Sequence, residues 1–335
     1  ISYSFKTDSS KLNYSLLVHS MDESLETFRA LDPVGYLSKF ISSNTRPDAR
    51  PHHCTRETHI QSSILTKNSV GSSLVTLGNT KVISGVTLRV GSPSLCAPSK
   101  GEIDVSISFS PLCGGQYNAA GKIIHDEYEM RSAAANAYAD PQSIESFVKR
   151  TVVTSNMIDL NQLCILEGKA CWKIDISCTA INHDGNIVDA FILGAVTALV
   201  DVQLPKIKME KVQGQEVVTI VEDERTGQMD LIAMGKKLTF AKCCIPLTVG
   251  LFQGKMLVDP TLEEESLCDG MITVVVDSMS VKKGAGILTG AVLSISKSGG
   301  SVLSTMEEIA ACVQLAFGRA KEMNTILNLV QPIKE

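Results

Sequence analysis

The chain has 335 residues, of which 44% are hydrophobic and 20% charged, and its net charge is −5. That length can bury one large core or two modest ones. The acidic balance excludes a protein that grips nucleic acid alone through a basic surface, and aromatics at 5% leave the core to Val, Ile, Leu and Ala.

Residues 1–20 are polar, hold no Met and show no periodicity, and read as a disordered or non-native extension. An N-terminal helical segment spans 21–45, and within it 31–40 carries Tyr36, Leu37 and Phe40 on an apolar side. Strands are predicted at 73–77, 81–90 and 103–109, with Gly78-Asn79 turning the first into the second. Residues 111–139 are mostly small and read as loop. Asp140-Pro141 is a helix start, an N-cap residue with Pro at the first helical position, and the helix runs to about 154. A strand at 172–181 leads to a tight Asp184-Gly185 turn, a short further strand and a buried helix over 190–202.

Residues 206–238 are rich in Lys, Glu and Gln and read as an exposed hairpin or linker. Strands follow at 239–251 (broken by Pro246), 255–258 and 271–276. A segment over 294–300 ends in a Gly-Gly turn, and a long helix spans 304–330. Ile309, Val313, Phe317, Ala320, Ile326 and Leu327 form its stripe. Two similar units, 46–205 and 239–335, each run strands then helix, which suggests a duplication.

The ten cysteines include no C-x-x-C pair and most lie in apolar stretches, as buried thiols of a reducing compartment do. Residues 14–19 are too short for a secretory signal and lack a basic flank. The longest apolar run, 191–200, is half a membrane span. A cytoplasmic or nuclear protein with no membrane contact is expected.

Asp259, Glu263, Glu264, Glu265 and Asp269 crowd one strand end. Such carboxylates can bind a divalent cation or supply a general acid, but spacing alone favours an exposed acidic turn. His52, His53, Cys54 and His59 have zinc-ligand chemistry, yet adjacent His residues point apart and no second Cys pair stands at ligand spacing. Lys297-Ser298-Gly299-Gly300 lacks the length of a P-loop and reads as a turn. The short clusters Lys206/Lys208/Lys211, Lys236-Lys237 and Lys282-Lys283 are interleaved with acids and read as solvated faces.

A helix N-terminus presents free N–H groups and a positive dipole end, a natural seat for phosphate. After the Asp184-Gly185 turn the seat holds Asn186, Ile187, Val188 and Asp189, with no Arg, Lys, Ser or Thr. Asp189 is placed to cap the helix with its own carboxylate.

Residues 45–50, Thr-Arg-Pro-Asp-Ala-Arg, resemble the Arg-Pro-Asp-Gly-Arg entry motif of RNase PH-like proteins. Residues 71–83 resemble their first hairpin, and 111–113, 175–202, 259–270 and 297–300 follow in the family's order. The likeness covers about 30–330, and the segments 163–165, 184–190, 202–205 and 259–265 narrow it to subunits of the eukaryotic RNA exosome ring.

The resemblance implies an α+β, RNase PH-like fold of two βα units: a first half like domain 2 of ribosomal protein S5, then the RNase PH C-terminal half. In active members the turn carries Gly-Thr-Arg, which holds the attacking phosphate, and two acids six positions apart assist the chemistry. The acids fall on Asp259 and Glu265, with Glu where Asp is usual, while Asn186 to Asp189 replace the phosphate seat. Ala49 stands where the entry motif has Gly.

A non-catalytic ring subunit is therefore expected, with no cofactor and no resident metal. Its implied partners are other RNase PH-like ring subunits, S1/KH cap subunits and single-stranded RNA in the assembled channel. The implied locations are nucleus, nucleolus and cytoplasm. The alternative is an active phosphate-dependent 3′→5′ exoribonuclease, which needs a Lys or Arg from elsewhere to reach the seat.

Overall fold

A computed structural model describes residues 25–65, 67, 69–113, 141–205, 207–212, 215–220, 234–283, 288–298 and 305–330. The chain forms two compact units, the first ending at Cys54 and the second beginning at Thr55. The extension expected over 1–20 and most of the loop expected over 111–139 lie outside the described residues.

In the first unit a helix over 25–31 is followed by α1 (Pro33–Ser42). The helix expected over 31–40 forms two residues further on, and Asp32 interrupts the helical segment expected over 21–45. Asp32 caps α1 by accepting from Gly35 N at 2.9 Å, and Pro33, which cannot donate, starts it. Its buried positions are Leu37 and Ile41, while Tyr36 and Phe40 are half-buried, the Tyr36 ring lying against Phe40 and meeting Phe28 edge-on. Lys39 lies 4.2 Å over the Phe28 ring. The turn that follows puts Ala49 at φ +63°, the left-handed region that the motif's usual Gly occupies freely.

In the second unit, the first sheet contains β1 (Thr58–Ser62), β2 (Gly71–Leu77), β3 (Thr80–Gly91), β4 (Glu102–Phe109), β5 (Cys164–Leu166) and β6 (Ala170–Asn182). Their order is β1-β2-β3-β6-β4, with β5 on β6. β2 and β3 are joined by the expected Gly78-Asn79 turn, with Leu77 opposite Thr80. The β4–β6 pair is parallel, and α2 (Pro141–Thr154) lies in the connection that a parallel pair demands. Its Ile144, Val148 and Val152 pack down on the core.

The helix after β6, α3 (Ile187–Asp201), is buried at every residue from Ile187 to Leu199. It packs against β2, β3 and β6 on one side and against the second sheet on the other. A helix covered all round must be apolar all round, which is why 191–200 reads like part of a membrane span. No helix among the described residues is long and apolar enough to cross a membrane. At Gly194 a Cβ would come within 2.5 Å of Ser84 Oγ, so glycine lets α3 approach β3 closely.

β7 (Gln203–Pro205) pairs with β10 (Met234–Lys237), and between them β8 (Ile207–Val212) and β9 (Gln215–Ile220) form an antiparallel hairpin. The second sheet runs β12-β11-β13-β16, from β11 (Cys244–Phe252), β12 (Lys255–Val258), β13 (Gly270–Asp277) and β16 (Val292–Ser298). Before β13 comes the short helix α4 (Leu262–Leu267), and β14 (Lys282–Lys283) pairs with β15 (Leu288–Thr289).

Pro246 does not break its strand as expected; it lies within β11, opposite Val275. Two residues on, Thr248 N donates away from β13 to Asp189, so the Pro246 nitrogen faces that same side. β12 reaches only as far as Val249, and no ladder bond is lost.

Helix α5 (Met306–Val330) lies on β11 and β13. Its buried face is Cys312, Ala316, Phe317, Ala320, Met323 and Leu327, whereas the expected Ile309, Val313 and Ile326 are half-buried flanks. Polar neighbours hid the inner row: Arg319 sits on it and bonds the Thr55 and Thr58 hydroxyls at 3.0 and 2.5 Å.

Candidate functional site

β6 ends at Asn182, and the chain turns through Asp184 and Gly185 straight into α3. The short strand expected before the helix is absent, because Gly185 (φ +79°) and Asn186 (φ +51°) both take left-handed backbone and reverse the chain within two residues. A Cβ on Gly185 would lie 2.5 Å from Leu262 N and from Thr261 C. Only glycine permits this approach of the turn to the segment before α4.

The helix starts at Ile187, three residues earlier than expected, and that changes the role of Asp189. It lies inside the first turn and does not cap α3. Its carboxylate accepts from Thr248 N and Thr248 Oγ1 at 2.9 and 2.7 Å, and from Asn186 Nδ2 at 2.9 Å. Asn186, the residue at the cap position, makes no side-chain cap bond. Its backbone N–H donates to Glu265 Oε1 at 2.7 Å. The carboxyl group at the start of α3 is thus that of Glu265, brought from α4.

Asp259 is the hub. It is 1% exposed and holds φ +52° just after β12. Its carboxylate accepts from Arg56 Nε at 3.0 Å, Arg56 Nη2 at 2.8 Å, Arg56 N at 2.7 Å and Asn186 Nδ2 at 2.6 Å. The same guanidinium donates to the carbonyls of Asp184 (2.5 Å) and Gly185 (3.1 Å). Thr80 ties the turn from beneath, donating to Gly185 O at 2.8 Å and accepting from Asp184 N at 3.1 Å.

Burial would raise the Asp259 carboxyl, but the hydrogen bonds and charge of Arg56 outweigh it and hold it at about 2. Among the described residues no cation pairs with Asp189, and burial pushes it up to about 6 against the Thr248 and Asn186 donors. Burial pushes Glu265 up to about 8, with the Asn186 N–H and Arg56 pulling back only in part. Near neutral pH the cluster holds one guanidinium against ionised Asp259 and Asp189, with Glu265 protonated. Its net charge is negative.

The acidic segment is not the exposed turn expected. Asp259 and Glu264 are buried, and Glu264 closes a capping box with Thr261 that starts α4. Among the described residues no group of three or more His, Cys, Asp or Glu is placed to hold a metal ion. His52, His53 and Cys54 end the first unit, while His59, in the second, is exposed and pairs with Glu57 at 3.2 Å. Lys297 is exposed on β16, and Gly299 and Gly300 lie outside the described residues.

The structure therefore brings Asn186, Asp189, Asp259 and Glu265 together and buries Ile187 and Val188 beside them. Sequence reasoning missed Arg56 and Thr248. Thr248 is the one hydroxyl in Ile-Pro-Leu-Thr-Val, a legible sign of an inward polar partner. Arg56 carries no local signal and emerges only because a buried Asp259 needs a cation.

Known proteins share this arrangement of elements. Residues 55–205 match the model for domain 1 of the 3′ exoribonuclease (RNase PH) family, and 244–319 match that for domain 2. The exosome complex component Rrp42 of Methanopyrus kandleri is 33% identical over 236 residues, which cover 70% of this chain and 77% of the relative. That of Thermococcus onnurineus is 28% identical, over 86% of this chain and 91% of the relative. A chain of the Archaeoglobus fulgidus exosome with RNA bound to the active site superposes with a TM-score of 0.67, at 23% identity, covering 87% of this chain and 96% of that one. The chain belongs to the RNase PH-like 3′ exoribonuclease family, among the components of the exosome.

Proposed function

We propose that this chain is a ring subunit of an RNA exosome core that does not itself perform phosphorolysis. It stands beside other RNase PH-like subunits under S1/KH cap subunits, and the assembled channel passes single-stranded RNA for 3′→5′ processing and turnover, including maturation of ribosomal RNA. Within that ring we assign it the place of the eukaryotic subunit numbered forty-three in the ribosomal-RNA-processing series, in nucleus, nucleolus and cytoplasm.

One observation carries the inactive reading. The N-terminus of α3, where active relatives hold phosphate, is buried and already meets the carboxyl of Glu265. Phosphorolysis brings a phosphate dianion against a phosphodiester, and that repulsion must be offset by cations. Arg56 does reach the turn, as the alternative requires, but four of its five guanidinium N–H donors are taken by Asp259 and two backbone carbonyls.

The test is the purified chain with single-stranded RNA, inorganic phosphate and Mg²⁺. No nucleoside diphosphate above a blank is expected. Phosphate-dependent shortening that Asp259→Asn abolished would establish the active enzyme instead.

A further inference from the structure

β5 and β6 form a hairpin at the start of the longest strand of the first sheet, and their register sets Cys164 directly opposite Cys171. Opposed residues of an antiparallel pair place side chains on one face, with Cα atoms about 4.5–5.5 Å apart. A disulfide spans about 4.4–6.8 Å between Cα atoms, so the register meets its Cα requirement. Both thiols are free. On its other side Cys171 faces Gly91 of β3, and the Lys173 stem fills the space that a side chain at Gly91 would take. The ladder slips between Cys164 and Leu166, a bulge that gives β5 freedom to adjust its approach.

We propose that Cys164 and Cys171 form a reversible redox site, closing to a cross-strand disulfide by exchange with a disulfide of the glutathione class. Cys164 is half-buried and Cys171 is buried, which divides their roles. Burial also raises the Cys171 thiol, leaving Cys164 as the attacking group. The Cys164 thiolate attacks glutathione disulfide, releasing one glutathione thiol and leaving a mixed disulfide. The Cys171 thiolate then displaces the second glutathione and forms the protein S–S bond. Two protons leave the cysteines, and two electrons pass from their sulfurs to glutathione disulfide, which becomes two thiols. The clasp pins the 164–171 hairpin to the edge of the β6 ladder, and excess reduced glutathione reopens it.

The chain provides its own assay. Trypsin cuts after Arg150, Lys169 and Lys173, so the two cysteines fall on separate peptides, 151–169 and 170–173, each with no other cysteine. The reduced full-length chain is equilibrated in glutathione buffers of rising oxidised fraction, alkylated, digested without reductant and weighed by mass spectrometry. The expected result is a 151–169/170–173 cross-link that forms before any other cysteine pair and disappears on reduction. Cys164→Ser should abolish it, and Cys171→Ser should leave glutathione trapped on Cys164. If both peptides remain alkylated after exposed Cys54 and Cys96 already carry glutathione, the proposal fails. A mixed disulfide persisting on Cys164 in the unaltered chain also overturns it, and neither outcome depends on a variant folding.

Discussion

Arg56 and Asp259, 203 residues apart, form a buried bidentate ion pair at 3.0 and 2.8 Å. The pair joins the entry to β1 with the loop after β12, and through the Asp184 and Gly185 carbonyls it also fixes the turn into α3. A guanidinium so engaged acts as a brace between the two halves of the second unit.

Removing one partner should therefore cost far more than removing both. Asp259→Leu leaves a buried guanidinium unpaired and should lower the free energy of unfolding by about 3–5 kcal/mol, whereas Arg56→Met with Asp259→Leu should recover most of that loss. Urea titrations of the two single variants and the double variant decide it. A double variant as weak as the sum of the singles would mean that the two residues do not act as a pair.

Glu265 gives the chain an alkaline sensitivity of definite sign. Its folded-state pKa of about 8 lies above the ordinary glutamate value of 4.5, so between these limits the folded chain binds more protons than the unfolded one. Stability from this group is full below about 4.5 and is lost as pH rises through about 8. Glu265→Gln should flatten that limb of the profile. Asp259 has the opposite sign: held at about 2, its contribution is present above 3.8 and lost as pH falls through about 2. Melting midpoints across the pH range, with and without Glu265→Gln, measure both limbs.

A seat already filled should ignore its former ligand. Millimolar inorganic phosphate, at constant ionic strength against chloride, should leave the melting midpoint unchanged. A phosphate-specific rise that Glu265→Gln altered would show that the start of α3 still takes anions.

Ala49 holds a conformation that an L side chain adopts at a cost. Ala49→Gly should stabilise the chain by about 0.5–1 kcal/mol, relief of the left-handed strain outweighing glycine's larger unfolded-state entropy. Chemical denaturation of the variant tests it, and a loss of stability would contradict the backbone geometry.

Much of the fold was legible because its signals are local. The Gly78-Asn79 hairpin, the Pro141 start and the alternation in β3 and β4 each arise within a few residues. Where long-range contact decides, reading failed. Pro246 looks like a strand breaker until the side its nitrogen faces is known, and α3 begins early because Gly185 must pass against Thr261 and Leu262. The candidate site shows the same division. Asn186, Asp189, Asp259 and Glu265 could be named from the family's pattern, but Asp189 as a cap depended on a helix start that sequence misplaces. The Arg56 brace is a contact across 203 positions and leaves no periodicity to read.

Because α3 is covered by β2, β3 and β6 on one flank and by β11 on the other, its second flank has no cover during synthesis until residues 244–252 have left the ribosome. The nascent first half must carry Phe191, Ile192, Val196 and Leu199 on a helix only partly housed. In that interval it is a natural client for a holding chaperone. Ribosomes stalled between β7 and β11 should display a chain that proteases cut within α3, a vulnerability that ends when β11 emerges and docks.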